Sequence, residues 1–223
     1  MADSPRKAPT RCILLFARTA EGEARAKRLA RARALFAFAR RRVLAAARSL
    51  PETGVLVVGP AGDLPQRGRG FAERLANAFA DARALGYREI VAVPTDVPRL
   101  GRRQLAEAFR RLETAPVVLG PSPDGGAYLI GCGNDPSDLF AGVRWQTSQV
   151  FADLVANAAN PAVLDPLEDV DRWADVLALD SELIRLVTAP IQILESSRDA
   201  RPASRIAFAD PLFQRPPPSR LLA

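Results

Sequence analysis

The chain has 223 residues, with 31 basic against 25 acidic side chains, a formal charge of +6 and no histidine. The missing imidazole excludes a Ser-His-Asp or Cys-His nucleophile, a His-ligated zinc and an imidazole proton shuttle, so any catalysis rests on carboxylates, a metal and cations. The length suits one α/β domain with an appendage, or at most two small domains, and the positive charge steers anionic ligands without naming one. Cys12 and Cys132 each fall in or beside an apolar run, as buried free thiols of a reducing compartment do. No apolar run approaches the roughly 20 residues of a membrane span, and Met1 to Arg11 is a polar arm without a hydrophobic signal core, so a soluble cytoplasmic protein is expected.

In chain order, Cys12 to Phe16 is a continuous apolar run, the mark of a parallel strand buried on both faces. A loop with Gly22 leads into an Ala- and Arg-rich stretch expected as a helix reaching about Leu50, with Leu29, Phe36, Val43, Ala47 and Leu50 as its apolar stripe and Pro51 as its end. From Arg25 to Arg48 there are basic residues and no acids. No aromatic residues interleave with them on a strand platform, so a solvated face is preferred and nucleic acid is disfavoured as a partner. Arg18, Arg25, Lys27 and Arg28 differ, because they follow directly on a strand, where a nucleotide's phosphates can reach them.

Val55 to Val58 is a second apolar strand, ended by Gly59-Pro60-Ala61-Gly62. Gln66 to Arg74 then enters a helix with apolar Phe71, Leu75, Phe79, Ala82 and Leu85, closed by Gly86. Ile90 to Val93 is a third strand, followed by a Pro-Thr-Asp-Val-Pro turn and a helix from near Gly101. Val117 to Leu119 is a fourth, and a Pro-Ser-Pro-Asp-Gly-Gly loop leads to a fifth over Ala127 to Gly131. A helical turn near Asn134 to Phe140, a helix from Gln149 to about Ala159 and a short strand at Ala162 to Leu164 complete the series. Strands alternating with helices through short connections predict an α/β fold with a mostly parallel sheet. The expected organisation is an N-terminal arm over 1–11, a domain over 12–195, and a loosely ordered Pro- and Arg-rich tail over 196–223.

Asp96 stands just past the carboxyl end of an apolar run, and Pro98 keeps that strand from continuing. In open α/β sheets ligands sit at this edge. A carboxylate there can hold a divalent cation against a phosphate, and Gly125-Gly126 can let backbone approach a ligand. The alternative is that Asp96 caps the helix near Gly101 and that the glycines only make a hairpin turn. Glu168, Asp169 and Asp171 form a second carboxylate cluster.

Several of these strings resemble a known family. Thr95-Asp96-Val97-Pro98, Leu119-Gly120-Pro121 with Asp124-Gly125-Gly126-Ala127-Tyr128-Leu129-Ile130-Gly131, Phe140-Ala141-Gly142-Val143-Arg144-Trp145 with Thr147, and Asp169-Val170-Asp171 are similar to DUF2064. That family belongs to the nucleotide-diphospho-sugar transferase superfamily, has the glycosyltransferase-A fold, and is related to molybdopterin and phospholactate guanylyltransferases. The resemblance covers about Cys12 to Leu179, and Gln66, Gly68, Glu73 and Arg74 also match. It implies a three-layer domain in which Asp96, Asp169 and Asp171 hold Mg²⁺ or Mn²⁺, and Asp96 and Asp124 are catalytic. It further implies that Arg18, Arg28, Gln66, Arg74, Gly125 and Gly126 face the nucleotide and its phosphates. Mg²⁺ prefers one or two carboxylates plus substrate phosphates. By the same logic Asp96→Asn is expected to leave the ligand-free melting temperature level or to raise it, since an empty metal site crowds Asp96 against Asp169 or Asp171.

The chain departs from the family at the phosphate loop, which usually reads Phe-Ala-Lys-x-Pro-x-x-Gly-x-x-Lys-Thr-Arg-Leu. Phe16, Ala17, Arg28 and Leu29 match it. Arg18 replaces the first lysine and Ala26 the second, Ala20 stands at the proline, and Glu23 at the glycine, with Gly22 adjacent. Gln146 replaces a serine, and Arg172-Trp173 replace Thr-Pro after Asp171. Two readings follow. One is a metal-dependent transferase acting on a nucleotide-activated sugar or a nucleoside triphosphate, with a nucleotide or nucleotide sugar as partner and an acceptor and oligomeric state that the sequence does not name. The other is a catalytically altered nucleotide-binding or assembly protein that retains the fold.

Overall fold

Six strands form one sheet: β1 (Arg11–Phe16), β2 (Thr53–Val58), β3 (Glu89–Pro94), β4 (Val117–Pro121), β5 (Ala127–Cys132) and β6 (Ala162–Val163). The computed structural model describes residues 9–28, 33–60 and 62–170. The chain divides into compact units over 1–188 and 189–223. The second unit, the boundary expected after residue 195, the tail, and Leu29 and Asp171 all lie outside the described residues.

The strand order is β2-β1-β3-β5-β4-β6. β1 pairs in parallel with β2 and β3, and β4 in parallel with β6, whereas β5 runs antiparallel between β3 and β4. The reversal of β5 follows from its connection. Only residues 122–126 separate it from β4, and a parallel neighbour would need a crossover of a dozen or more residues. Because Ala92 lies opposite Ile130, the reversal brings the start of β5 to the sheet edge where β1 and β3 end.

The helices are α1 (Ala20–Ala26), α2 (Arg33–Arg48), α3 (Phe71–Ala84), α4 (Arg102–Leu112), α5 (Ser137–Phe140) and α6 (Val150–Asn157). Side chains alternate along β1 between two cores, as the period of two requires. Cys12 and Leu14 join Leu75, Phe79, Phe140 and Leu154 from α3, α5 and α6. Ile13 and Leu15 join Val43, Ala47, Leu105 and Phe109 from α2 and α4. The fold is therefore the expected three-layer α/β arrangement. Each fully buried Leu or Phe in these layers contributes about 1.5–3 kcal/mol.

The Ala- and Arg-rich stretch is not one helix. α1 ends at Ala26 with Lys27 as its C-terminal cap, and Arg28 takes a left-handed φ of 56°. Helix propensity is high throughout this composition, so the break reflects a tertiary contact of Lys27 overriding it. In α2 the buried residues Leu35, Phe36, Ala39, Val43 and Ala47 lie on one face, while Arg33, Arg41, Arg42 and Arg48 are exposed. Among the described residues no helix is long and apolar enough to cross a membrane.

Cys12 and Cys132 are both free and buried, and burial pushes each thiol up to about 12. At pH 8 the folded protein should therefore react negligibly with a thiol-disulfide reagent, whereas in guanidinium both cysteines should titrate. Rapid labelling of either in the native state would show that β1 or β5 is open to solvent.

Candidate functional site

The ends of β1 and β3 and the start of β5 border an open cleft of about 520 Å³. Phe16, Ala17 and Arg18 line it beside Glu23 and Lys27, and Gln66, Phe71 and Arg74 enter from the start of α3. Thr95 and Asp96 follow β3, Asp124 and Gly126 precede β5, and residues 145–148 and Asp169 complete the wall. Of the residues expected at a site, Asp96, Asp124, Asp169, Arg18, Gln66, Arg74 and Gly126 thus share one cleft. Arg28 and Gly125 are not in its wall, and Arg28 is exposed.

Asp96 is held by a lysine that the sequence did not assign to it. Lys27 Nζ donates to Asp96 Oδ2 at 2.5 Å and to the Val170 carbonyl at 2.7 Å, and lies 3.7 Å from Glu23 Oε1. The three charged side chains are only 11–16 % exposed. Lys27 Nζ also sits 5.7 Å from the Phe36 ring centroid, at cation–π distance. Asp96 Oδ1 is buried and has no hydrogen-bond partner among the described residues. The helix-cap alternative fails, because α4 begins after Gly101, whose N–H donates to Gln104 Oε1 at 3.2 Å. The expected stability of Asp96→Asn also reverses. A cation faces Asp96, so removing the carboxylate takes a counter-charge from an almost buried ammonium instead of relieving repulsion.

Glu23, the acid in the first turn of α1, is compensated on two sides, with Arg18 Nη1 at 3.8 Å and Lys27 at 3.7 Å. Thr19 starts α1 by accepting the Gly22 N–H at 3.0 Å through Oγ1. Across the cleft, Gln66 Nε2 donates to the Val58 carbonyl at 3.2 Å. Phe16, Phe71, Trp145 and Phe140 form a run of rings with centroids 6.2, 5.3 and 5.5 Å apart. Two donors on this wall, Arg74 Nε and Trp145 Nε1, are buried without a hydrogen-bond partner among the described residues. Such groups normally find an acceptor.

Asp124 Oδ1 accepts the Gly126 N–H at 2.9 Å, which fixes the turn into β5. Gly125 has φ +88°, and a Cβ there would meet the Ser148 carbonyl at 2.1 Å. Its need for glycine thus comes from seating the turn against the 145–148 loop. That loop is tied down by Arg144, which donates to Asp153 from its backbone N–H and from Nε, each at 2.9 Å, and from Nη2 at 2.6 Å. Hydrogen bonding to Arg144 lowers the Asp153 carboxyl to about 2. Lys27 was expected among the basic residues that phosphates can reach, but its pairing with Asp96 was not, and Glu23 and Trp145 entered only as motif positions. The available signal was Lys27 standing one place after the family's second lysine position.

A structure from Desulfovibrio desulfuricans G20, described as a "putative nucleotide-diphospho-sugar transferase", matches with a TM-score of 0.65 at 24% identity, over 80% of this chain and 96% of that one. The fold is therefore nucleotide-diphospho-sugar transferase-like. Residues 63–147 match DUF2064, "Uncharacterized protein conserved in bacteria", and the family resemblance of the motifs is shown over that stretch. A homologue of Mycobacterium tuberculosis Rv0371c from Mycobacterium sp. strain JC1 has a TM-score of 0.47 at 16% identity, over 79% of this chain and 98% of that one. Rv0371c from Mycobacterium tuberculosis H37Rv has 0.42 at 16%, over 81% and 98%. No curated protein matches the chain.

Two outcomes follow from the loop. Gly125→Ala should lose roughly 1–3 kcal/mol in denaturant unfolding, from left-handed strain and the Ser148 clash. Asp153 has a folded pKa of about 2, below the unfolded value of about 3.9. Its stabilisation is therefore complete above the unfolded value and lost as pH falls through the folded one. Between those values Asp153→Asn should lose stability less steeply than wild type, as read from denaturant midpoints against pH.

Proposed function

We propose that the cleft binds the phosphates of a nucleotide sugar or nucleoside triphosphate together with a divalent cation, and that the protein transfers a glycosyl or nucleotidyl group. The observation that carries this reading is Asp96 at the carboxyl edge of β3, with Oδ1 buried and unpartnered among the described residues, in one cleft with Arg18 and Arg74. The name given to the Desulfovibrio protein of like fold supports the same class.

The donor set is compatible with Mg²⁺ or Mn²⁺. Among the described residues no three ligating side chains cluster, and a full protein cage is not required, because Mg²⁺ keeps several waters and takes one or two carboxylates plus phosphates. Asp96 through Oδ1, and Asp169 in the same wall, would hold the ion. Bound there, it would neutralise charge developing on the leaving phosphate.

The remaining roles belong to the chain's own side chains. Arg18 at the mouth and Arg74 inside the wall give anionic oxygens their donors, and Trp145 Nε1 offers a neutral one. Phe16, Phe71 and Trp145 keep water from one side of the cleft. Asp124, exposed beside Gly126, presents a carboxylate that can take a proton from an acceptor hydroxyl. A second reading, a nucleotide-binding or assembly protein without turnover, is favoured by Glu23 in the phosphate loop and by Lys27 on Asp96.

Thermal shifts with a panel of nucleotides and nucleotide sugars, each with Mg²⁺ or Mn²⁺, test the reading. A ligand at 100 times its dissociation constant should add about 2.7 kcal/mol. Asp96→Asn should abolish that gain and cost about 1–3 kcal/mol without ligand, less than a fully buried pair. If no member shifts the folded wild type, the proposal is wrong. Binding without consumption of any ligand would favour the second reading.

A further inference from the structure

We infer that Lys27 is a resident counter-ion of Asp96, which suppresses binding of a dication alone and transfers to the ligand's phosphate when cation and phosphate load together. The inference rests on the function proposed for this cleft. Its physical basis is the placement of one ammonium. Lys27 Nζ is 2.5 Å from Asp96 Oδ2, and the other oxygen of the same carboxylate is the one left without a hydrogen bond among the described residues.

A dication taking Oδ1 would sit beside a positive charge on the same carboxylate. Like charges so close disfavour joint occupancy, and the nearly buried setting screens them poorly. A diphosphate changes the balance, because its oxygens accept from an ammonium and ligate a dication at once. Lysine suits the exchange, being a point charge on a flexible four-carbon stem with rotatable donors. It also donates to a backbone carbonyl at 2.7 Å and lies 3.7 Å from Glu23, an ion pair without hydrogen-bond geometry. Glu23 thereby acquires a role, keeping Lys27 compensated when Asp96 is taken.

The test uses the full chain and two probes, Mn²⁺ alone and inorganic pyrophosphate with Mg²⁺ in excess. Mn²⁺ binding is read as loss of the free-ion paramagnetic resonance signal, and pyrophosphate binding by calorimetry. Lys27→Met should bind Mn²⁺ at least tenfold more tightly than wild type and pyrophosphate at least tenfold more weakly, while Lys27→Arg keeps both close to wild type. These opposite movements would not come from a lysine that only pins α1 to the sheet. Lys27→Gln, which keeps a donor for the Val170 carbonyl without the charge, gives the same comparison if the methionine variant does not fold. Unchanged or weaker Mn²⁺ binding in a folded, uncharged variant would overturn the inference. The outcome is separable from the proposed function, which fails in the nucleotide panel of the wild type whatever these variants do.

Discussion

The contact on which the arrangement of the cleft depends is the ion pair between Lys27 and Asp96. Residues 69 positions apart meet in it, and three segments are joined: the end of α1, the turn after β3, and the irregular segment that ends at Val170. Val170 N–H donates to the Asp96 carbonyl at 3.3 Å, and the Val170 side chain is buried with Ala24, Leu35 and Phe36. α1 has seven residues, too few for a helix to persist on its own hydrogen bonds in water. Its position is set by this pairing and by the small apolar cluster beneath it. An ammonium so enclosed must be paired to be tolerated, and Asp96, Glu23 and a carbonyl supply that pairing.

The sheet was legible because the physics that builds it is local. A strand buried on both faces has to be apolar throughout, and Cys12 to Phe16 and Ile90 to Val93 are, while Val55 to Val58 is as apolar but only partly buried at the sheet edge. The turn residues at Asp96 and at Asp124 to Gly126 were legible for the same reason, since they stop strands at one edge, and the topology then brings them to one cleft. What could not be read was contact over long sequence distance. Nothing between Arg25 and Arg48 marks a break, and the break lies where Lys27 reaches Asp96. Arg28, adjacent in sequence to a cleft residue, takes a left-handed backbone and stays out of the wall.

Gly125 illustrates a second limit. A glycine pair after a strand reads as room for a ligand or as a hairpin turn, and local sequence does not separate them. The structure gives Gly125 a third reason, the Ser148 carbonyl, from a loop that Arg144 and Asp153 hold in place. The glycine therefore acts on the cleft indirectly, by letting the loop that carries Trp145 close against the β5 turn. Asp124 contributes to the same arrangement through the Gly126 N–H.

A fold of this kind fixes where a ligand sits without fixing the chemistry done there, so the weight falls on the loop between β1 and α2. An acid at its glycine position looks hostile to phosphate, because a carboxylate replaces open backbone. The geometry changes that conclusion. Arg18 and Lys27 both stand within ion-pair distance of Glu23, so together the three leave the loop cationic. Glu23 acts there as an internal counter-charge that positions two cations. Lys27 pairs with Asp96 on this side, while on the aromatic wall Arg74 Nε and Trp145 Nε1 have no hydrogen-bond partner among the described residues. On the function proposed above, an incoming diphosphate would meet acceptor-seeking groups on one side and the Lys27–Asp96 pair on the other, and exchange at Asp96 would join them.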